Sequence, residues 1–263
     1  MKKILLFSAL LITGNLVKAQ MDTTNNAPEL KVAETTTPKT KKTYNLTNRP
    51  NDHFLLQLGY TQWLGAPDSI VTRGFPRSIN TYFMFDFPFK TSQQLSAAIG
   101  LGVGSDHMVF DSTYVNVKGV NRAQTGAYST LRFDRTPFDG GSGYFKKTKL
   151  ATVYLEVPVE LRYVANPENS DKSFKIAVGG RVGTMIKGGT RNRKFQNNSL
   201  YPTDLTFKES SKKYFNTTRI VGTARVGYGH FTVFGSYQFT NLLKDGAGPE
   251  IRPLTIGLSI GGL

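Results

Sequence analysis

Residues Ala151 to Tyr163 read ATVYLEVPVELRY, and every second side chain in this stretch belongs to one apolar set. Strict period-two alternation over this length is strong evidence for a β-strand with one apolar and one polar face. The same signal recurs on both sides of this stretch. The apolar set here is Ala151, Val153, Leu155, Val157, Val159, Leu161 and Tyr163.

The alternation predicts eight strands, separated by joins that are alternately long and short. An antiparallel meander closed into a ring places alternate joins at opposite ends, as in outer-membrane barrels. We therefore predict an all-β fold, an eight-stranded antiparallel up-and-down transmembrane β-barrel with long extracellular loops and short periplasmic turns. The long joins cover about 65–79, 105–148, 188–216 and 244–252, and the short ones about 90–94, 165–172 and 229–230. The predicted strands begin near Phe54, Tyr82, Leu95, Leu150, Phe174, Arg219, Phe231 and Pro253.

The first 52 residues lack this pattern. Lys2 and Lys3, the apolar run Ile4 to Ile12 and small residues ending at Ala19 predict a cleaved signal peptide over residues 1–19. The run is far shorter than the ~20 residues of a spanning helix. Residues 20–52 are rich in Thr, Asn, Lys and Pro, so we expect a disordered periplasmic tail before a barrel over 53–263. The expected location is the outer membrane of a Gram-negative bacterium.

Composition is compatible with one such domain. The 263-residue chain is 39% hydrophobic, has a formal net charge of +15 and contains no cysteine, which excludes a disulfide framework. The mean hydropathy is −0.29. This value does not argue against a membrane barrel, because only alternate strand residues meet lipid.

Alternation alone leaves open which face points outward, because a soluble lipocalin-like barrel gives the same pattern. Six aromatic residues favour a membrane: all fall at strand termini at the short-turn end, in phase with the apolar face. Such a girdle is typical of a membrane–water interface. The predicted aromatic girdle consists of Phe54, Phe87, Tyr163, Phe174, Tyr228 and Phe231.

With the apolar face outside, charged side chains fill the lumen. An eight-stranded ring is only wide enough to be filled by side chains, so we predict a salt-bridged plug, with a proton- or ion-conducting relay as the alternative. Pairing through the turn at 165–172 sets Glu156 opposite Arg181 and Arg162 opposite Lys175, and Lys187 is assigned to the same inward face. The predicted lumen charge network is Asp86, Glu156, Glu160, Arg162, Lys175, Arg181, Arg219 and Arg225.

The segment Tyr154 to Tyr163, YLEVPVELRY, resembles the central strand of the PorT-like outer-membrane β-barrel family of Bacteroidetes. A Gly-rich strand follows it, here Ala177 to Gly183, and the segment Gly235 to Leu242 is similar as well. The resemblance covers about residues 53–263. It implies an outer-membrane barrel inserted by the barrel-assembly machinery, with some members supporting type IX secretion and gliding, and it brings no catalytic signature.

No residue pattern predicts catalytic residues, a cofactor or a metal site. The three histidines, His53, His107 and His230, lack metal-ligand spacing. Asp106, His107 and Asp111 form the one candidate hydrolytic group at the loop rim, but no nucleophile or oxyanion donor accompanies them by spacing. We therefore predict a nonenzymatic protein.

The two longest joins are strongly basic. Beside the outer membrane their charge favours contact with lipid and lipopolysaccharide phosphates rather than nucleic acid. Aromatic residues of the longest join, among them Tyr114 and Phe145, form either a folded cap or a partner-binding surface. The basic residues are Lys118, Arg122, Arg132, Arg135, Lys146 and Lys147 in one join, and Arg191, Arg193, Lys194, Lys208, Lys212 and Lys213 in the other.

The leading functional hypothesis is a scaffold or accessory component of envelope or type IX secretion/gliding machinery, with envelope or secretion proteins as partners. The alternatives are a narrow solute or ion pore and a loop-rim lipid-modifying or proteolytic enzyme.

Overall fold

The computed structural model describes residues 53–68, 70, 72–120, 126–134, 143–196 and 203–261. The predicted signal peptide and tail, and the predicted loop residues Arg122 and Arg135, lie outside these ranges. Within them, a 3₁₀ helix covers Pro167–Lys172. The strands are β1 (Phe54–Leu64), β2 (Arg77–Pro88), β3 (Leu95–Asp111), β4 (Tyr114–Asn116), β5 (Arg132–Asp134), β6 (Gly143–Val164), β7 (Phe174–Gln196), β8 (Thr203–Ser210), β9 (Thr218–Tyr228), β10 (Phe231–Gln238) and β11 (Arg252–Gly261).

Eight of these strands form a closed antiparallel ring. In chain order they are β1, β2, β3, β6, β7, β9, β10 and β11, and each pairs with the next. The ring closes where β11 returns to β1, with Leu58 opposite Leu258. The prediction of an eight-stranded up-and-down barrel is confirmed.

The apolar face of the ring points outward and the polar face inward. On β6 the side chains of Leu155 and Val159 are 40% and 51% exposed, whereas Glu156 between them is 0% exposed. Similar apolar side chains are exposed on the neighbouring strands, forming a continuous apolar band. A belt of this extent requires a nonpolar solvent around it.

Several strands extend well beyond the predicted ends. β6 begins at Gly143 and β7 continues to Gln196, where β8 pairs with it from Gly189 onward. The predicted long joins at 105–148 and 188–216 therefore contain much strand. The sequence analysis missed these extensions because they leave the apolar band: in Arg191, Asn192, Arg193 and Lys194, for example, both faces of the strand are polar.

The register between β6 and β7 differs from the prediction by two residues. Glu156 lies opposite Gly183 and Arg162 opposite Ala177, not opposite Arg181 and Lys175. The reason is the turn, in which the 3₁₀ helix is followed by the extended Ser173, so that the first pair is Val164 with Lys175. A two-residue shift keeps each side chain on its face, because the strand period is two.

A β-bulge in β7 reverses the facing of the residues above it. Val153 pairs with Lys187 and Tyr154 with Met185, which leaves Ile186 as the extra residue. Both Ile186 and Lys187 are exposed on the outer wall. The prediction that Lys187 faces inward was therefore wrong, because a bulge shifts the alternation by one residue.

The largest apolar core lies at the long-loop end, not in the middle of the barrel. There the loops and the upper inward faces of the strands pack into one cluster, which we call the apolar cap. Its members are Trp63, Met108, Phe110, Val115, Val117, Leu131, Leu150, Tyr154, Met185, Tyr214, Phe215, Leu242, Leu243, Ala247 and Ile251.

In the part of the chain that the structure describes, no helix has the length and apolar character needed to cross a membrane.

Candidate functional site

The centre of the lumen is organised around the carboxylate of Glu156, which alternation on β6 directs inward. Arg219 Nε donates to Glu156 Oε1 at 2.6 Å, and the Tyr82 hydroxyl donates to Oε2 at 2.6 Å. Arg181 Nε lies 3.5 Å from the same Oε1. Charge-assisted bonds of this kind offset the desolvation of a buried carboxylate.

Arg219 connects this carboxylate to a second one. Its NH1 lies 2.5 Å from Asp106 Oδ2, and its guanidinium stands 3.8 Å from the ring centroid of Tyr154. That distance is within the range of a cation–π contact. Glu156, Asp106, Arg181 and Arg219 with Tyr82 form what we call the upper charge cluster.

Two glycines make room for the upper charge cluster. A Cβ added at Gly104 would lie 2.5 Å from Glu156 Oε2, and one at Gly183 would lie 2.8 Å from Glu156 Cγ. Real Cβ atoms do not approach other atoms so closely. The small inward residues of β3 and β7 therefore leave room for the long side chains of Glu156 and Arg219 to meet over the inward face of β7.

A lower charge cluster lies nearer the short-turn end. Glu160 accepts from Arg162 Nε at 3.0 Å and from Arg225 NH2 at 2.8 Å. Arg162 NH1 lies 3.7 Å from Asp86 Oδ1. Lys175 is buried beside them, where the four charged residues Asp86, Arg162, Lys175 and Arg225 border a cavity of about 20 Å³, the size of about one water molecule.

The structure thus brings all eight predicted lumen residues inside the barrel, in two clusters instead of one. Sequence reasoning missed three participants: Tyr82, Tyr154 and Asp106. Both tyrosines lie on the polar face, in phase with Asn80 and Glu156 respectively, so alternation could have indicated them. Asp106 was assigned to a loop because β3 was predicted to end too early.

These contacts favour a plug over a proton relay. The bridging cations are mainly arginines, whose guanidinium groups do not release protons in proteins. Two carboxylates, Glu156 and Glu160, are each held by two arginines. Above them the apolar cap covers the long-loop end.

The six predicted girdle residues lie at the short-turn end of the barrel. Phe174 and Phe231 both lie opposite Tyr228 in the register, and all three side chains are exposed. Phe87 is exposed at the end of β2. Phe54 and Tyr163 are partly exposed, at the start of β1 and the end of β6.

A second aromatic band, which the sequence analysis missed, lies toward the long-loop end. Tyr60 and Phe75 have ring centroids 5.4 Å apart, and those of Tyr237 and Phe239 are 5.3 Å apart. From Phe231 to Phe239 the strand covers roughly 26 Å, or ~20 Å after barrel tilt, similar to the ~25 Å height of a lipid-facing band.

The candidate hydrolytic group at the rim is not assembled. Asp106 points into the lumen toward Arg219, whereas His107 is on the outer face of β3 and lies opposite Arg77 in the register. Asp111 pairs with Arg73 at 2.5 Å. The described ranges also hold no group of three or more His, Cys, Asp or Glu side chains suited to a metal ion.

Two aromatic residues of the longest join, Tyr114 and Phe145, are packed inside the folded loop end, whereas Phe138 lies outside the described residues. Tyr114 and Phe145 are 3% and 0% exposed and stack with ring centroids 5.1 Å apart. Tyr114 also donates to Glu209 Oε1 at 2.8 Å, which ties β4 to β8.

Most of the predicted loop cations lie on strand extensions. Lys147, Arg191, Arg193 and Lys208 are exposed, whereas Lys194 is fully buried. In the segment that joins β8 to β9, Lys212 and Lys213 donate to the backbone oxygens of Met185 and Tyr128.

Comparison with known proteins gives a family and a set of distant structures. The model of the family described as "Outer membrane protein beta-barrel domain" matches residues 52–243. Among solved structures, Ail, the attachment invasion locus protein of Yersinia pestis, aligns at 13% identity and a TM-score of 0.32, covering 80% of this chain and 97% of that one. Two variants of the Rh. blastica porin align at 9% identity with TM-scores of 0.17 and 0.18, each over 80% of this chain and 98% of the porin. A comparison with curated proteins found no match.

Proposed function

Since this chain belongs to the outer membrane protein β-barrel domain family, we propose that it serves in the outer membrane as a nonenzymatic scaffold or accessory component of envelope machinery. The observation that carries this proposal is the filled interior. Two charge clusters and the apolar cap occupy the barrel at successive heights, so its usable surfaces are the outer wall and the long-loop end.

The strand extensions supply a surface suited to protein contacts. β6, β7 and β8 continue beyond the apolar band as a paired sheet, and β4 packs against the upper inward face of this sheet. Paired strands hold their side chains in a fixed arrangement at little entropic cost on binding. A rigid projection of this kind fits a docking role better than a flexible loop does.

A finer assignment within this proposal is type IX secretion or gliding, which rests on the PorT-like resemblance of the segment Tyr154 to Tyr163. Export by a signal peptide cleaved after Ala19 belongs to the same proposal. N-terminal sequencing of the protein from outer membranes, with Gln20 as the first residue, tests the export step.

The accessory role is tested by shortening the β7–β8 hairpin. Residues 191–208 are replaced by a two-residue turn, the envelope is crosslinked, and the partners captured by this variant and by the unaltered protein are compared. Heat-modifiable gel migration shows whether each barrel is closed. We expect the shortened barrel to close but to lose its partners and, on the finer assignment, secretion or gliding in vivo. Unchanged partners and phenotype would contradict the role of this hairpin.

The narrow-pore alternative predicts current through a planar bilayer. With the lumen filled by paired side chains, we expect no conductance above that of the protein-free membrane. Stable single-channel steps from the folded protein would favour transport over the accessory role.

A further inference from the structure

Just above the apolar band, the outer wall of the barrel becomes basic, with cations on β2, β6, β7 and β8. We call this surface the outer basic patch. All of its defining residues are exposed and point away from the lumen: Arg77 on β2, Lys149 on β6, Lys187 and Arg191 on β7, and Lys208 on β8.

The register sets cations directly beside one another. Lys149 lies opposite Arg191, and Arg191 lies opposite Lys208, so three positive side chains form one row across β6, β7 and β8. In the next row outward, Lys147 lies between Arg193 on β7 and the carboxylate-bearing Asp111 on β3. Like charges directly opposite on neighbouring strands are destabilising.

Among the residues that the structure describes, no carboxylate forms an ion pair with the row of Lys149, Arg191 and Lys208. None of the five patch residues takes part in an ion pair there. Of the nearby acids, Asp111 is bonded to Arg73, and Glu209 is buried on the inner face, where it accepts from Tyr114. Adjacent positive charges without a negative partner in the described part of the chain indicate that an anion from outside the chain neutralises them.

The patch borders a groove large enough for a phosphate-bearing headgroup. Arg77, Lys149, Lys187, Arg191 and Lys208 line a depression of about 410 Å³, and His107 and Glu209 also border it. Lys149 and Arg191 also line a second depression, of about 570 Å³, that continues toward Lys147 and Arg193. Arg and Lys side chains converging from several strands are well suited to phosphate oxygens.

The position of the patch indicates that the anion is part of a lipid. Directly below it, the outer wall carries the exposed apolar side chains Ile79, Leu155 and Ile186. The β7 bulge makes this boundary abrupt, because Ile186 and the cationic Lys187 are consecutive and both point outward. A ligand that matches both surfaces has acyl chains along the band and a phosphate at its upper edge.

We propose that the outer basic patch binds a phosphate of the lipid A headgroup of lipopolysaccharide in the outer leaflet, with the acyl chains against Ile79, Leu155 and Ile186. This binding site goes beyond the proposed accessory role, although Arg191 and Lys208 also lie at the base of the β7–β8 hairpin to which that role is assigned. The three-cation row of Lys149, Arg191 and Lys208 contacts the phosphate, and Arg77 and Lys187 flank it at the edge of the apolar band.

The test uses the full-length protein folded in zwitterionic detergent, with binding measured by native mass spectrometry. The probes are bisphosphorylated lipid A, enzymatically dephosphorylated lipid A, inorganic phosphate and a poly-glutamate peptide. The patch variant combines Lys149→Gln, Arg191→Gln and Lys208→Gln. The matched control removes three exposed charges elsewhere, by Lys90→Gln, Lys172→Gln and Lys244→Gln. Heat-modifiable migration verifies that both variants are folded.

We expect the patch variant to bind bisphosphorylated lipid A about a hundredfold more weakly, since each cation near an anionic lipid surface contributes about a factor of five. The control variant should bind like the unaltered protein, and dephosphorylated lipid A should bind the unaltered protein as weakly as bisphosphorylated lipid A binds the patch variant.

Equal losses of lipid A binding in the patch and control variants would overturn the proposal in favour of nonspecific attraction. Unchanged lipid A binding in the patch variant would overturn it outright. Full competition by millimolar inorganic phosphate would indicate a free-anion site, and poly-glutamate binding that matches lipid A would indicate an acidic protein partner. If the patch variant keeps the crosslinked partners while losing lipid A, the two proposals are separated. Because the hairpin variant also lacks Arg191 and Lys208, its loss of partners is assigned to the accessory role only when the patch variant keeps those partners.

Discussion

Arg219 and Glu156 are bonded at 2.6 Å although the strands that carry them, β9 and β6, are not neighbours. β7 lies between these strands in the ring, and Glu156 and Arg219 both lie opposite its Gly183, so the two side chains meet over the inward face of β7. The bond therefore links two strands that share no backbone pairing. Both side chains are almost completely buried.

Neutralising this carboxylate should destabilise the barrel strongly. Glu156→Gln leaves Arg219 and Arg181 with less counter-charge in a dry interior, and breaking a buried pair costs about 3–5 kcal/mol. The measurement is a urea titration in detergent, in which gel mobility reports the unfolded fraction. Glu250→Gln is the matched control, because Glu250 is 77% exposed and forms only a surface pair with Arg252; its effect should stay within about 1 kcal/mol. Equal midpoints for both variants would contradict the structural role of Glu156.

Adding one methyl group at Gly104 should disturb the same cluster. The new Cβ of Gly104→Ala would collide with Glu156 and Arg219, and overpacking of this kind costs about 1–3 kcal/mol. Gly235→Ala is the control in β10, where a Cβ meets nothing within 4 Å. It should be neutral or stabilising by up to about 1 kcal/mol. A control variant less stable than Gly104→Ala in the same urea titration would count against the packing argument.

The apolar cap contains a natural reporter. Trp63 is the single tryptophan of the chain and is 9% exposed, with its ring centroid 5.5 Å from that of Phe110. Phe110→Ala should lower stability by about 3–5 kcal/mol and shift Trp63 emission to the red as water enters the cap. Phe75→Ala removes a ring that is 65% exposed and should leave the emission unchanged. An unshifted spectrum for Phe110→Ala would show that the cap does not pack around Trp63.

Spin labels should locate the edge of the apolar band on β6. Because the chain has no cysteine, single Val157→Cys and Lys149→Cys variants can be labelled without background. Both side chains point outward, on opposite sides of the proposed boundary. In lipid vesicles, the label at 157 should be more accessible to oxygen and the label at 149 to a water-soluble nickel complex. Aqueous accessibility at 157 would contradict a membrane location for the band.

Alternation along the chain was enough to predict which side chains of the barrel face inward, including Glu156, Arg162 and Arg219, since facing is a local property with a period of two residues. Alternation failed where a strand is irregular or continues beyond the apolar band. Lys187 faces outward because a bulge intervenes, and Asp106 belongs to the lumen because β3 continues past the lipid-facing residues, where polarity no longer distinguishes the two faces.

The sequence by itself determined the fold class and the number and order of the eight barrel strands, because a lipid-exposed ring requires an apolar residue at every second position of each strand. Only the tertiary structure decided which charges meet. The turn after β6 moved the register by two residues, the registers of β6 and β9 on β7 set Glu156 and Arg219 on either side of Gly183, and cross-strand pairing aligned Lys149, Arg191 and Lys208. Those contacts depend on turn geometry and on distances between residues far apart in the chain, which a period of two does not contain.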